Sequence, residues 1–145
     1  MILSSLSLRH RRDLPPDQGG VVIEPYSAES QQPASYDLRA AEKTLMARGV
    51  MTLVASMEWV EIPAALAATL RCRSSYARRG VQLSGGFVDP GFRGHLTLCL
   101  LNMGPDDIIL EKGDRIVQMV LSEVTAGDST YNGRYQDSIG VVLAR

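Results

Sequence analysis

Short apolar runs rich in β-branched residues recur along the chain, and Gly, Pro, Asp or Asn closes most of them. They are Val50–Ala55, Trp59–Ile62, Val81–Leu83, His95–Asn102, Asp107–Leu110, Ile116–Glu123 and Gly140–Leu143, preceded by V-V-I-E-P at 21–25. Several alternate apolar and polar residues, which puts one face of each strand on a core and the other toward water. Many short strands separated by turn residues predict an all-β fold, an antiparallel barrel or sandwich. With 145 residues, 45% of them hydrophobic and 21% charged, the chain suits one domain over 1–145 with a single core.

Two stretches depart from that pattern. Met1–Arg12 is expected to form a short amphipathic helix capped by Ser4 or Ser5, with Ile2, Leu3, Leu6 and Leu8 inward. The following D-L-P-P-D-Q-G-G ends it, since neither the Pro pair nor the Gly pair continues a helix. E-I-P-A-A-L-A-A-T-L at 61–70 favours helix by propensity, with Pro63 suited to a first helical position, and predicts a turn of helix feeding a strand over Thr69–Cys72.

The net charge of −1 offers no basic excess for non-specific binding to nucleic acid or a membrane, and neither is expected as a partner. Cys72 and Cys99 are too few for a disulfide framework, and His10 and His95 lie far from each other and from a cysteine pair. That leaves no ligand spacing for a zinc-activated water. The opening M-I-L-S-S-L-S-L-R-H-R-R is too short and polar for a membrane span or a secretory core, which points to the cytoplasm and reduced thiols.

Residues 73–102 concentrate the unusual chemistry. Arg71, Arg73, Arg78, Arg79 and Arg93 crowd around tight Gly turns, and a guanidinium fork matches the geometry of a phosphate. Asp89, between Val88 and Pro90, reads as an isolated buried carboxylate or as a turn residue. Arg73 can equally pair with a carboxylate at a strand end, Phe92 can be a core ring, and Gln118 can sit on a solvated strand face.

The motifs P-A-S-Y-D-L-R (33–39), V-E-I-P (60–63), R-S-S-Y-A-R-R-G (73–80), G-F-V-D-P-G-F-R-G-H-L-T-L (86–98), G-D-R-I-V-Q (113–118) and R-Y-Q-D-S-I-G (134–140) occur in order along the chain. Together with the opening M-I-L-S they resemble the dCTP deaminase and dUTPase superfamily, most closely its deaminase branch. The resemblance implies a distorted jelly roll that assembles as a homotrimer, with sites between subunits for a deoxyribonucleoside triphosphate and its Mg²⁺. It implies that Arg73, Ser74, Ser75 and Gln118 hold phosphates and that Ser74 also orients a water. Arg78 positions the reacting centre, and Arg134, Tyr135 and Gln136 close over the triphosphate. Phe92 takes the place of a ring that presses on the deoxyribose, where a 2′-hydroxyl would be left unpaired at a cost of about 1–3 kcal/mol. Asp89 matches the carboxylate that accepts a proton from the water attacking the α-phosphorus.

Three departures accompany the resemblance. Where the deaminase branch has T-L-E-L, this chain has T-L-C-L, so Cys99 stands at the position of the glutamate that serves as general base. A neutral thiol, with a reference pKa of about 8.5, is a poor proton shuttle beside a carboxylate. The segment before Asp89 lacks the H-x-T-A whose backbone reads the pyrimidine edge, and Gly91 replaces the second acid of dedicated dUTPases. The resulting expectation is dUTP hydrolysis to dUMP and pyrophosphate. Deamination of dCTP to dUTP and ammonia is the alternative, and a non-catalytic dNTP-binding or regulatory trimer the third reading.

Overall fold

The computed structural model describes residues 1–126 and 129–145. One helix, α1 (Ser5–Arg12), precedes the strands. Ser4 caps it, its Oγ accepting the Ser7 amide hydrogen at 3.2 Å, and the basic last turn suits the partial negative charge at the helix C-terminus. Leu3 and Leu8 are buried, but Ile2 and Leu6 are exposed, against the expectation of four inward residues. The helix begins only at Ser5, so Ile2 lies in extended backbone bridging Ser122, and Leu6 falls roughly 200° around the helix from Leu8.

The strands are β1 (Val22–Glu24), β2 (Gln31–Gln32), β3 (Ser35–Arg39), β4 (Thr44–Met46), β5 (Met51–Glu61), β6 (Leu66–Cys72), β7 (Val81–Ser84), β8 (Phe87–Val88), β9 (Arg93–Asn102), β10 (Ile108–Leu110) and β11 (Arg115–Glu123). A four-residue helix, α2 (Ser74–Ala77), links β6 to β7. They form a four-stranded sheet β1-β5-β9-β7, a five-stranded sheet β2-β3-β11-β6-β8 and a β10-β4 pair. Every pairing between named strands is antiparallel. The all-β expectation holds.

The two larger sheets share one core. Leu96, Leu98 and Leu100 of β9 point into it, as do Met119 and Leu121 of β11 and Tyr36 and Leu38 of β3. Period-2 alternation then leaves Cys99 and its even-spaced neighbours on the outer face of one sheet, and Gln118 on the outer face of the other.

Three expectations are corrected by the pairing. Val50–Ala55 and Trp59–Ile62 are one strand, because a bulge between Ala55 and Trp59 absorbs the break in alternation. Ser56 stitches that bulge: its Oγ donates to the Glu58 carbonyl at 2.7 Å and accepts the Leu96 amide hydrogen at 2.9 Å. No helical turn forms over 61–70; the Leu66 amide donates to the Pro63 carbonyl in a turn, and β6 begins at once. Leu66, Ala67 and Ala68 are all buried, so packing on both sheet faces overrides the helical propensity of alanine. Gly140–Leu143 is not a strand. Its amides bond to side chains of β9 instead of to a backbone ladder.

Candidate active site

The motif around Asp89 builds a tight turn. Phe92 N–H donates to the Asp89 carbonyl at 3.2 Å, with Pro90 second and Gly91, at φ +83°, third. Pro then Gly at those places is the composition of a type II turn. A Cβ on Gly91 would lie 2.5 Å from Thr130 Cβ, which leaves no room for an acid at this position. Alternation along β8 sends Val88 into the core and turns Asp89 outward. Asp89 is therefore exposed, not the buried carboxylate expected.

Asp89 stands at a cavity of about 760 Å³ on the outer face of the four-stranded sheet, a volume suited to a small ligand. Phe92, Cys99 and Tyr135 line it as well, so four of the residues singled out in the sequence meet here. Among the described residues Asp89 is the one carboxylate in the lining. Cys99 faces the cavity from β9 opposite Leu53, its Sγ 3.9 Å from the Thr97 carbonyl. Phe92 is 7% exposed and packs edge-on to Tyr131 with centroids 5.7 Å apart, so it is both a core ring and a cavity wall.

The C-terminal segment is strapped along the edge of β9 that β7 leaves uncovered. Asp137 N–H donates to the Arg93 carbonyl, and His95 N–H to the Ser138 carbonyl at 2.8 Å. Gly140 N–H donates to His95 Nδ1 and Val142 N–H to Thr97 Oγ1, each at 3.0 Å. The Gln136 carboxamide accepts from Arg93 N–H and donates to the Gly91 carbonyl, both at 2.9 Å, tying the strap to the Asp89 turn. Arg93 also pairs with Asp137, and Arg134 is exposed. His95, Thr97 and Tyr131 were not singled out in the sequence. The period-2 spacing of His95, Thr97 and Cys99 was the available signal.

The remaining expected residues gather elsewhere. Ser74 and Ser75 are exposed on α2, and Arg78 is exposed just past its C-terminus. Gln118 lies between Asp37 and Arg71 in the β3-β11-β6 register, on the outer face of the five-stranded sheet. Arg73 Nε lies 3.0 Å from Asp37 Oδ2, and its Nη1 donates to the Arg115 carbonyl. Arg115 Nη1 is 3.7 Å from the same oxygen. Both contacts with Asp37 are ion pairs without a hydrogen bond, and both carboxylate oxygens of this 1% exposed residue lack a hydrogen-bond partner among the described residues. Burial pushes the Asp37 carboxyl above its ordinary range, and the charges of Arg73 and Arg115 pull it only part of the way back. Arg39, Arg73, Arg115 and Tyr76 border a second, polar cavity of about 340 Å³.

The expected site residues thus fall into two sets. Cys99 and Gln118 face outward from opposite sheets of one sandwich, and neither cavity is lined by both Asp89 and Arg73.

Comparison with known proteins gives this arrangement a lineage. The dCTP deaminase-like family model matches residues 40–124. A dCTP deaminase of Thermococcus gammatolerans is 33% identical over 141 residues, spanning 86% of this chain and 90% of its own. Among solved structures, a 2′-deoxycytidine 5′-triphosphate deaminase from Agrobacterium tumefaciens aligns at TM-score 0.69 and 19% identity, over 83% of this chain and 47% of that one. The native dUTPase of EIAV aligns at TM-score 0.61 and 18% identity, over 79% and 92% of the two chains. Both structures share the fold; the family follows from the match over 40–124 and the one-third identity across most of the length, and the chain belongs to the dCTP deaminase-like family.

Proposed function

We propose that the protein binds a pyrimidine deoxyribonucleoside triphosphate and hydrolyses it, dUTP to dUMP and pyrophosphate being the reaction its residues suit best. The observation that carries this reading is Asp89 as the one carboxylate among the described cavity residues, with a thiol at Cys99. Asp89 takes a proton from a water that attacks the α-phosphorus in line, and the electron pair of the breaking P–O bond leaves with pyrophosphate. Ser74 orients that water, and Arg73, Ser75 and Gln118 hold phosphate oxygens. Arg78 positions the reacting centre, and Phe92 walls the sugar. Tyr135 borders the cavity from the C-terminal strap, and Gln136 and Arg134 are placed to follow it over the triphosphate.

Because the phosphate-side residues and Asp89 sit on different faces, a complete site needs two copies of the chain, which supports a homotrimer with sites between subunits. Among the described residues no three His, Cys, Asp or Glu side chains cluster to hold a metal. In this reading Mg²⁺ arrives on the nucleotide, since this ion keeps several waters and is usually bound through one or two carboxylates and substrate phosphates. Bound there, it would spread the charge of the triphosphate.

One observation favours a second reading, deamination of dCTP: the one-third identity to a dCTP deaminase over most of the chain. Incubation with dUTP or dCTP and Mg²⁺, with pyrophosphate and ammonia assayed separately, distinguishes the two. The hydrolase reading expects pyrophosphate from dUTP, abolished in Asp89→Asn with nucleotide binding retained. Ammonia from dCTP would establish the second reading, and nucleotide binding without either product a regulatory protein. No described helix is long and apolar enough to cross a membrane.

A further inference from the structure

Phe87 is 64% exposed, the most open of the chain's eight aromatic side chains, yet it borders the same cavity as Asp89 and Cys99. Its backbone is well anchored. Phe87 pairs with Thr69 of β6, and the preceding carbonyl, of Gly86, accepts the Leu70 amide hydrogen at 2.6 Å. Gly85 and Gly86, at φ +75° and +107°, carry the chain from one sheet to the other just before it. A Cβ on Gly86 would lie 3.1 Å from both Leu70 Cβ and its carbonyl oxygen, so this crossover is closely seated. The exposure of the ring is therefore a consequence of strand alternation on a fixed backbone: Val88 is buried and Phe87 is exposed, at the wall of the cavity.

We infer that Phe87 is the stacking platform for the pyrimidine base, an inference that rests on the nucleotide reading above. Phe92 packs against Tyr131 and has little free surface, whereas Phe87, two residues before Asp89, leaves most of its surface free. The walls around it are chiefly apolar, with Met51, Leu53, Leu96 and Val142 among them. A flat heterocycle entering such a cavity gains by leaving water and covering a π face. Every base has such a face, so the gain depends little on which base it is. Stacking therefore supplies base affinity here with weak discrimination between uracil and cytosine, and the triphosphate is held by other groups.

The test is calorimetric binding of Mg²⁺-complexed dUTP, dCTP and tripolyphosphate to the full chain and to Phe87→Ala, Phe87→Leu and Phe87→Trp, with molar mass followed by light scattering. Removing the ring, as Ala or as Leu, should weaken both nucleotides by about tenfold and by the same factor. Tripolyphosphate binding should not change, and Trp should restore the nucleotides. Unchanged dUTP affinity in Phe87→Ala, with wild-type binding intact, overturns the stacking role while the nucleotide reading stands. A change of molar mass in the variant overturns it too, making the ring an interface residue. If the wild-type protein binds neither nucleotide, the reading beneath it falls and the inference with it.

Discussion

His95 Nδ1 accepts the amide hydrogen of Gly140 at 3.0 Å, and two residues further along β9 Thr97 Oγ1 accepts that of Val142 at the same distance. Beyond Ser138, where the backbone bonds to β9 end, the C-terminal segment is thus held by side chains, one bond at a time, rather than by a cooperative ladder. Replacing His95 by Phe and Thr97 by Val should speed hydrogen exchange at the Gly140 and Val142 amides by about fivefold each, the scale of one net hydrogen bond. Gly94→Ala should act more broadly, since its Cβ would lie 2.8 Å from Ser138 N at a backbone φ of +145°. Unchanged exchange in all three variants would mean that other contacts hold the strap.

The bulge in β5 aims Glu58 inward, where it is 0% exposed. Its carboxylate accepts from Arg39 Nε at 2.6 Å, from the Arg39 backbone amide at 3.0 Å and from the Tyr36 hydroxyl at 3.4 Å. Burial first, and then the Glu58 charge, push the Tyr36 hydroxyl above its ordinary range, so it remains a donor. Glu58→Ala leaves the buried donors without a partner and the Arg39 charge uncompensated. A loss of about 3–5 kcal/mol in denaturant unfolding is expected, with Glu58→Gln in between. A loss under about 1 kcal/mol would show that the network is replaceable by water.

Asp37 makes a prediction of sign. Its native carboxyl titrates higher than in the unfolded chain, where the value is about 3.9, because burial outweighs the attraction of Arg73 and Arg115. Between those two values the native state binds more protons than the unfolded one, so the Asp37 contribution to stability falls as pH rises. Asp37→Asn has no such titration. The difference in unfolding free energy, wild type minus variant, should therefore decline from about pH 4 upward through the native value. A rise with pH instead, centred below about pH 4, would mean that the two guanidinium groups dominate.

The all-β architecture was legible because alternation and turn residues are local signals, and β9 and β11 lie within two residues of where the pattern put them. The failures share a cause. The stretch 61–70 reads as helix until β11 and β8 pair with its second half, from Leu66 on, and Gly140–Leu143 reads as a strand although only His95 and Thr97 side chains receive it. Asp37 and Glu58 were invisible as buried charges, since nothing local reveals that Arg73, Arg115 and Arg39 will fold over them. The site was half legible. Asp89, Phe92, Cys99 and Tyr135 do converge on one cavity, whereas the residues placed with the phosphates lie on another part of the chain's surface.

Cys99 is where the chemistry of the site can be changed by one residue. It faces the cavity from a well-paired stretch of β9, between Leu53 on β5 and Ser84 on β7, so a longer side chain there extends into the cavity rather than into the core. Cys99→Glu would place a second carboxylate on that wall without altering the turn that holds Asp89. A carboxylate can take a proton from water and deliver it to a leaving amine, a cycle the thiol performs poorly at neutral pH, and such a base is worth about 10²–10⁴-fold in rate. The variant is expected to release ammonia from dCTP at least about 100-fold faster than the wild type while remaining folded, at a stability cost of about 1 kcal/mol for a half-buried charge. Coupled ammonia assay and urea unfolding measure both quantities. A folded Cys99→Glu protein that binds dCTP without releasing ammonia would place the obstacle to deamination elsewhere than at this position.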